Sequence, residues 1–172
     1  MIQYKISPEN LNSHLFSVEL SFATQVGKTY NLSLPAWLPG SYMIRDFAKN
    51  ITEIHVNNSD QETEQDIKTI SLNKIDKQTW QFNAESTATV VNYQVFAFDL
   101  SVRTAYLDSE RGFFNGSSTF LQVQELPDKK CQLSIFLPEK LLKAQPDKFS
   151  HWRVATGLPR AKGIEKYHFG DY

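Results

Sequence analysis

The stretch LFSVELSF, residues 15–22, alternates apolar and polar side chains along its whole length. One side carries Phe16, Val18, Leu20 and Phe22, and the other carries serine and glutamate. Because successive side chains of a strand point to opposite faces of a sheet, this period of two predicts a half-buried β-strand. We therefore expect a sheet that packs one face on a core and turns the other to solvent.

Similar short segments occur on both sides of this stretch, with turn residues between them. We expect residues 29–34 to pair antiparallel with residues 15–22, since a short glycine-containing connection joins them. Residues 69–72 and 78–82 are expected to form a hairpin. Residues 89–100 carry apolar side chains at successive positions, which predicts a central strand covered on both faces.

Further strand-like segments are residues 51–56, 102–107, 119–123 and 131–137. A helix is expected only as one short turn over residues 138–142, because proline suits the first helical position. Many short strands with turn signals between them indicate an all-β fold. We predict an antiparallel β-sandwich or saddle-like sheet pair with at most one or two short helical turns.

Composition narrows the partners that the chain can recognise. Its 172 residues fit one domain, and 18 basic against 19 acidic residues give a formal net charge of -1. No strong field favours a polyanion, so we expect neither nucleic acid nor a membrane as a partner. The single Cys131 excludes an intrachain disulfide. Without a secretory signal pattern or an apolar run of roughly 20 residues, the chain is expected to be soluble and cytoplasmic.

The most distinctive stretch is PAWLPGSYMIRDF, residues 35–47. Proline followed by glycine at positions 39 and 40 predicts a type II turn, since glycine accepts the positive φ that its second central position needs. We expect Trp37 to be largely buried, because large aromatic side chains are mostly core packing. Arg45 should donate a charge-assisted hydrogen bond to a carboxylate or to backbone carbonyls. Ligand binding by this stretch is the alternative.

The residues of this chain offer no catalytic machinery of their own. A zinc peptidase helix needs two histidines four residues apart with a glutamate between them, and neither His14, His55, His151 nor His168 has such a partner. No Gly-x-Ser-x-Gly elbow and no glycine-rich phosphate loop is present. We therefore predict no catalytic residue, no metal ligand and no cofactor within the chain.

The segment after residue 107 allows two interpretations. The acidic pair Asp108 and Glu110 stands beside Arg111, which is typical of a polar surface loop with a weak local ion pair. Alternatively, RGFFNG at residues 111–116 forms a shaped loop, because Asn115-Gly116 tolerates positive φ and can aim backbone amides outward. The residue chemistry leaves both interpretations open.

Three blocks together resemble one protein family. They are WLPGSYMIRDF at residues 37–47, VRTAYLD with RGFFNG at residues 102–116, and WRVATGL at residues 152–158 with Asp171-Tyr172 at the end. In this order they are similar to the N-terminal domain of the glycyl aminopeptidase family. That family comprises zinc metallopeptidases with a gluzincin-type catalytic domain and usually a C-terminal PDZ domain. The family-signature residues of the first block are Trp37, Pro39, Gly40, Ser41, Tyr42, Arg45 and Phe47.

The resemblance implies that residues 1–172 are a single N-terminal β domain of a longer enzyme, whose catalytic and PDZ domains are absent from this chain. Such a domain would be non-catalytic and inactive alone, and the zinc would belong to the catalytic domain. It would pack on its own catalytic domain and help to wall the cleft for a peptide substrate. The substrate-cleft or interdomain candidates carried over are Arg111, Phe113, Phe114, Asn115 and Gly116.

This role predicts an apolar surface that is bare in the isolated chain. At least one of Phe113 and Phe114 should be substantially exposed, with Tyr167 and Phe169 on or near the same side. The bare surface should also favour self-association of the isolated fragment.

A rival function is a stand-alone β-sandwich binding module for peptide or carbohydrate. It would use Trp37, Tyr42, Trp80 or Trp152 as a stacking platform. Fold analogy alone does not favour it, and the exposure of these side chains decides between the two hypotheses. Two or more of them side by side on an open face would favour binding.

Overall fold

The described part of the chain folds into two sheets and a hairpin. The structure, a computed structural model, describes residues 1–58, 69–160 and 168–170, the last three through their backbone alone. The strands are β1 (Ile2–Asn10), β2 (Leu15–Ala23), β3 (Thr29–Ser33), β4 (Ile51–Asn58), β5 (Thr69–Ile70), β6 (Asn73–Lys74), β7 (Thr79–Asn83), β8 (Ala88–Phe96), β9 (Ala105–Leu107), β10 (Gly112–Phe114), β11 (Gln122–Val123), β12 (Cys131–Ile135) and β13 (His168–Gly170). The helices are a 3-10 turn (Phe47–Asn50), α1 (Gly116–Thr119), α2 (Glu139–Ala144) and α3 (Pro146–Phe149). These elements confirm the predicted all-β fold class.

The larger sheet has the strand order β13-β12-β1-β2-β8-β4-β5. Its centre is the antiparallel pair β2 and β8, which stay in register from Leu15 opposite Phe96 to Ala23 opposite Ala88. Burial alternates along both strands, so one face packs on the core and the other is half-buried. The expected burial of both faces of β8 is wrong, because its outward-facing positions are only half-buried.

The smaller sheet has the order β11-β3-β7-β6 and covers the core face of the larger one. Phe22 of β2 meets Tyr30 of β3 edge to face at 5.7 Å, and Tyr30 stacks on Phe82 of β7 at 5.8 Å. All three rings are buried. The aromatic side chains that favour strands in this sequence therefore fill the space between the two sheets.

Two pairings predicted from the sequence are wrong. Strand β3 pairs with β7 and β11 instead of β2, because the chain crosses from one sheet to the other after residue 23. Strand β5 joins β4 at the edge of the larger sheet, and β7 forms its hairpin with β6. In both cases neighbours in sequence lie in different sheets, since each strand must put its apolar face on the shared core.

Two buried tyrosines fix the segment that follows α1. The Tyr93 hydroxyl donates to the Thr119 carbonyl at 3.0 Å and accepts from the Leu121 amide at 3.1 Å. The Tyr4 hydroxyl donates to the Leu121 carbonyl at 2.8 Å. Burial raises the pKa of both phenols above the ordinary tyrosine value, so they stay protonated as donors. The two tyrosine hydroxyls therefore hold residues 116–121, and the hairpin that precedes them, in a defined position.

Candidate functional site

The loop of residues 35–47 is closed by backbone hydrogen bonds. Gly40 has a φ of 77°, and the Ser41 amide donates to the Leu38 carbonyl at 3.0 Å, which confirms the predicted proline-glycine turn. The Arg45 amide donates to the Ala36 carbonyl at 2.8 Å. These bonds bring the two arms of the loop together.

Both ends of this loop are anchored in the core. Leu34 and Phe47 are each 1% exposed, and Ser41 within the loop is 5% exposed. The Arg45 guanidinium is half-buried, and the hydrogen bond described for it runs from Nε to the Ser41 hydroxyl at 3.4 Å. Within the described residues its hydrogen-bond partner is therefore a hydroxyl, whereas the sequence predicted a carboxylate or backbone carbonyls.

The apolar side chains between these anchors point outward. Trp37 is 50% exposed, Tyr42 101%, Met43 62% and Ile44 74%. The prediction that Trp37 is largely buried is wrong, because Leu34 and Phe47 already occupy the core beneath the loop. The loop thus presents large apolar groups to solvent from a tightly bonded backbone.

A second turn, residues 99–104, lies beside this loop. The Thr104 hydroxyl donates to the carbonyls of Asp99 and Ser101 at 3.0 and 2.8 Å, and the Ser101 amide donates to Asp99 Oδ1 at 2.8 Å. Leu100 and Val102 are 70% and 68% exposed at the outside of this turn. The turn therefore has the same design as the loop, with internal hydrogen bonds and apolar side chains in solvent.

Hydrogen bonds join these two turns to each other and to Asn115. Arg103 Nη2 donates to the Gly40 carbonyl at 3.5 Å. Asn115 Nδ2 donates to the Val102 carbonyl at 3.4 Å, and the Asn115 amide donates to Thr104 at 2.9 Å. Residues from the first and second blocks of the resemblance, far apart in sequence, thus meet at one end of the fold.

The loop after β9 is organised by Asp108. Its Oδ1 accepts from the Glu110 and Arg111 amides at 2.7 and 2.8 Å, and these hydrogen bonds lower the pKa of the Asp108 carboxyl. Arg111 Nε lies 4.0 Å from Asp108 Oδ2. Of the two interpretations that the sequence left open, the local ion pair of a polar surface loop is present.

Asn115 and Gly116 differ from their sequence interpretation. Asn115 has an extended backbone with a φ of -98°, and its side chain accepts from the Ser117 amide at 3.0 Å. The pair therefore begins α1, and its backbone amides are not aimed outward by positive φ. Asparagine is a favoured residue at this position because its side-chain oxygen satisfies an otherwise unpaired helix amide.

The two phenylalanines of β10 differ in exposure. Phe113 is 45% exposed, which confirms that at least one of the pair is substantially exposed. Phe114 packs edge to face on Phe16 and Phe120 at 5.7 and 5.6 Å. Tyr167 lies outside the described residues, and Phe169 is described only through its backbone, so their predicted side of the domain stays a prediction.

A cleft of about 450 Å³ opens between this hairpin and residues 148–158. Its lining combines the second and third blocks of the resemblance with the ends of β1 and β12. The apolar part includes Ile6, Phe16, Leu133, Ile135, Phe113 and Leu158. The polar part includes Asp108, Glu110, Arg111, Lys148, His151 and Arg153. An apolar cavity edged by charges of both signs has the general character of a ligand pocket.

A column of stacked aromatic rings lies beside the cleft, next to the β9–β10 hairpin. The sequence did not predict this column. His14 stacks on Phe98 at 3.9 Å, and Phe98 stacks on Tyr106 at 5.5 Å. The Arg111 guanidinium lies 5.6 Å from the Tyr106 ring centre. His14 Nδ1 lies 2.6 Å from the Leu107 carbonyl, so Nδ1 carries the proton that it donates. The hydrogen bond with Asp108 raises the pKa of Tyr106.

The four aromatic residues of the alternative binding platform do not lie on one open face. Trp80 is 5% exposed, with the Lys74 ammonium 4.7 Å from its ring centre, and Trp152 is half-buried at the cleft. Trp37 and Tyr42 are exposed on the same loop. Two of the four are thus exposed, whereas the hypothesis requires that they also lie side by side.

The described residues form no cluster of three or more His, Cys, Asp or Glu side chains that could hold a metal ion. Among these same residues no helix is long and apolar enough to cross a membrane.

Comparison with known proteins identifies the family. The family model described as the peptidase M61 N-terminal domain matches residues 3–172. Seven chains of solved structures match, one of them the crystal structure of an aminopeptidase N family protein from Idiomarina loihiensis. That structure is 38% identical with a TM-score of 0.81, and the match covers 99% of this chain and 27% of the other. No curated protein matches.

The fold and the matched sequence define a peptidase-associated N-terminal domain. The chain belongs to the peptidase M61 N-terminal domain family, which confirms the resemblance seen in the three sequence blocks. It spans about a quarter of the length of the solved relative.

Proposed function

We propose that this chain is the non-catalytic N-terminal domain of a zinc-dependent aminopeptidase of the glycyl aminopeptidase type. The observation that carries the proposal is the family match over residues 3–172. The relative's chain is also far longer than the part that matches, so there is room in it for a catalytic domain. Residues 1–172 would be one β domain of a longer enzyme that also contains the catalytic domain and a PDZ domain.

In this enzyme the loop of residues 111–116 would help to wall the substrate cleft. Arg111 and Phe113 are exposed where the loop borders the 450 Å³ cleft. A guanidinium beside an exposed ring can contact both the carbonyls and the apolar side chains of a peptide. Asn115 and Gly116 would hold this wall in place through α1 and the Val102 carbonyl.

We place the enzyme in the cytoplasm. A single cysteine and a nearly balanced net charge suit a reducing compartment without polyanionic partners. The zinc would be held by the catalytic domain, because the described residues of this chain offer no metal cluster.

The test compares this 172-residue chain with the complete polypeptide in hydrolysis of a glycyl anilide. We expect turnover by the complete polypeptide, its loss with a zinc chelator, and none by the chain alone. Turnover by the isolated chain would place the catalytic machinery within these residues and reject the proposal.

The cleft-wall role has its own test in the complete polypeptide. Arg111→Ala and Phe113→Ala should raise KM for peptides, because both remove side chains from the wall. Val26→Ala, which truncates a side chain 65% exposed in the connection after β2, should leave KM unchanged. Unchanged KM in both wall variants would remove the loop from the substrate cleft.

A stand-alone binding module is the second candidate, favoured by the exposure of Trp37 and Tyr42. Its test is a titration of the isolated chain with peptides and oligosaccharides, followed by tryptophan fluorescence. A saturable change that disappears in Trp37→Ala would support this function. Signals that persist in this variant would come from Trp80 or Trp152 and not from the loop.

A further inference from the structure

The large apolar side chains of the two hydrogen-bonded turns form what we call the apolar loop surface. Its members are Trp37, Tyr42, Met43, Ile44, Leu100 and Val102, each at least half exposed. The Arg103 hydrogen bond to the Gly40 carbonyl places the two turns next to each other. This surface lies outside the loop of residues 111–116, to which the cleft-wall role was assigned.

The size of this surface suits an interdomain contact. Trp37 and Tyr42 alone offer about 300 Å², since a fully exposed aromatic side chain presents about 150–250 Å² and these two are 50% and 101% exposed. Four aliphatic side chains with exposures of 62–74% add to it. The six side chains together present on the order of several hundred Å², which reaches the upper end of the range for the largest patch on a monomer, about 300–600 Å², and the lower end of interdomain interfaces, roughly 600–1,500 Å².

The backbone beneath the surface is already fixed in the free chain. The Ser41, Arg45 and Thr104 hydrogen bonds close both turns, and the buried Phe47 anchors the end of the loop. A partner would therefore bind without having to order this backbone, which reduces the entropic cost of association.

The charges around the surface indicate the kind of partner. Asp46 and Asp99 are balanced by Arg45 and Arg103 on the same two turns. Such a rim offers no basic cluster for anionic lipid or nucleic acid. An apolar centre with a mixed polar rim is instead the usual anatomy of a protein interface.

We propose that the apolar loop surface is the face by which this domain docks on the catalytic domain of the same polypeptide. The proposal rests on the proposed function, and it adds the location of the contact. Its occupant is argued from the relative, in which the matched part is 27% of the chain, so that most of that polypeptide is available as a neighbour. Docking would also position the cleft wall, because Asn115 bonds to the Val102 and Thr104 carbonyls of the turn that carries Leu100 and Val102.

The experiment places a photoreactive benzophenone amino acid at position 42 of the complete polypeptide. Tyr42 is suited to this replacement because its side chain is fully exposed. We expect an intramolecular crosslink to a residue of the catalytic domain, identified by peptide mass mapping. The matched control carries the same group at position 26, where Val26 is 65% exposed on a different turn, and should give no such crosslink.

Two other outcomes would overturn the inference. A crosslinked dimer would show that a second copy of the chain occupies the surface, and light scattering would then find a dimer that Tyr42→Ser dissociates. If the group reacts only with solvent, no crosslinked peptide forms. That result, or a crosslink within this domain alone, would show that no partner covers the surface. Because glycyl anilide hydrolysis is measured on the same preparation, an active enzyme without the interdomain crosslink rejects the docking face and keeps the proposed function. A polypeptide without zinc-dependent activity rejects the proposed function itself.

Discussion

The loop of residues 35–47 and the loop of residues 108–116 use apolar side chains in opposite ways. The first buries its ends and turns Trp37, Tyr42 and their neighbours outward. The second is charged at its tip and turns Phe114 inward onto Phe16 and Phe120. Both are fixed by short hydrogen bonds, so rigidity does not distinguish them. What differs is whether core space is still free beneath the loop.

That difference has a consequence for function. A loop whose apolar groups are exposed has a surface to offer, while a loop whose aromatic ring is packed inward mainly shapes the cleft beside it. Residue type alone does not separate the two cases, since both stretches are rich in aromatic residues and glycine. The exposure of each side chain separates the two cases. Truncating a phenylalanine to alanine in each loop and measuring the unfolding free energy tests this difference.

The largest effect is expected for Phe47→Ala at the buried end of the first loop. Phe47 is 1% exposed, and removing a buried phenylalanine ring costs about 3–5 kcal/mol of unfolding free energy. Urea unfolding of the isolated chain measures the loss. Phe113→Ala is the matched truncation in the second loop and should cost much less, because Phe113 is 45% exposed. Equal losses would mean that the two rings are equally packed.

A smaller effect is expected for Gly112→Ala, at the start of β10. An added Cβ would lie 3.1 Å from Phe16 Cζ and 3.3 Å from Leu107 Cδ1, so the hairpin must shift or those side chains must move. Overpacking of this kind costs about 1–3 kcal/mol.

The control for this substitution is Gly157→Ala, where an added Cβ meets nothing within 4 Å. Its unfolding free energy should stay within about 0.5 kcal/mol of the parent value. If both variants unfold alike, then β10 has room to move, and the packing of Phe114 does not fix the cleft wall.

The sequence predicted those features that depend on local chemistry. The alternation of residues 15–22 predicted β2, and the Pro39-Gly40 pair predicted the turn. The expected apolar surface predicted that at least one of Phe113 and Phe114 is exposed, without deciding which. The resemblance carried by the three blocks predicted the family. Each of these follows from a few adjacent residues or from their order along the chain.

Features that depend on how distant segments meet could not be predicted in this way. Strand β1 pairs parallel with β12, although more than a hundred residues separate them. The exposure of Trp37 depends on Leu34 and Phe47 filling the core first, and the column of His14, Phe98 and Tyr106 joins three separate segments. The alternation of apolar and polar residues within a strand does not indicate to which sheet that strand belongs.

The smallest effect is expected for Tyr42→Ser, and it is the most direct test of the comparison between the loops. The Tyr42 side chain is 101% exposed, so its removal takes no apolar area away from the core. The unfolding free energy of the isolated chain should change by no more than about 0.5 kcal/mol, measured by urea unfolding beside Phe47→Ala. A loss well above that would show that the ring packs on this domain in solution, in which case the apolar loop surface would already be covered and could not receive a partner. A negligible loss, beside the large loss at Phe47 five residues away, would mean that one loop contains both a structural anchor and a surface whose side chains the fold does not need.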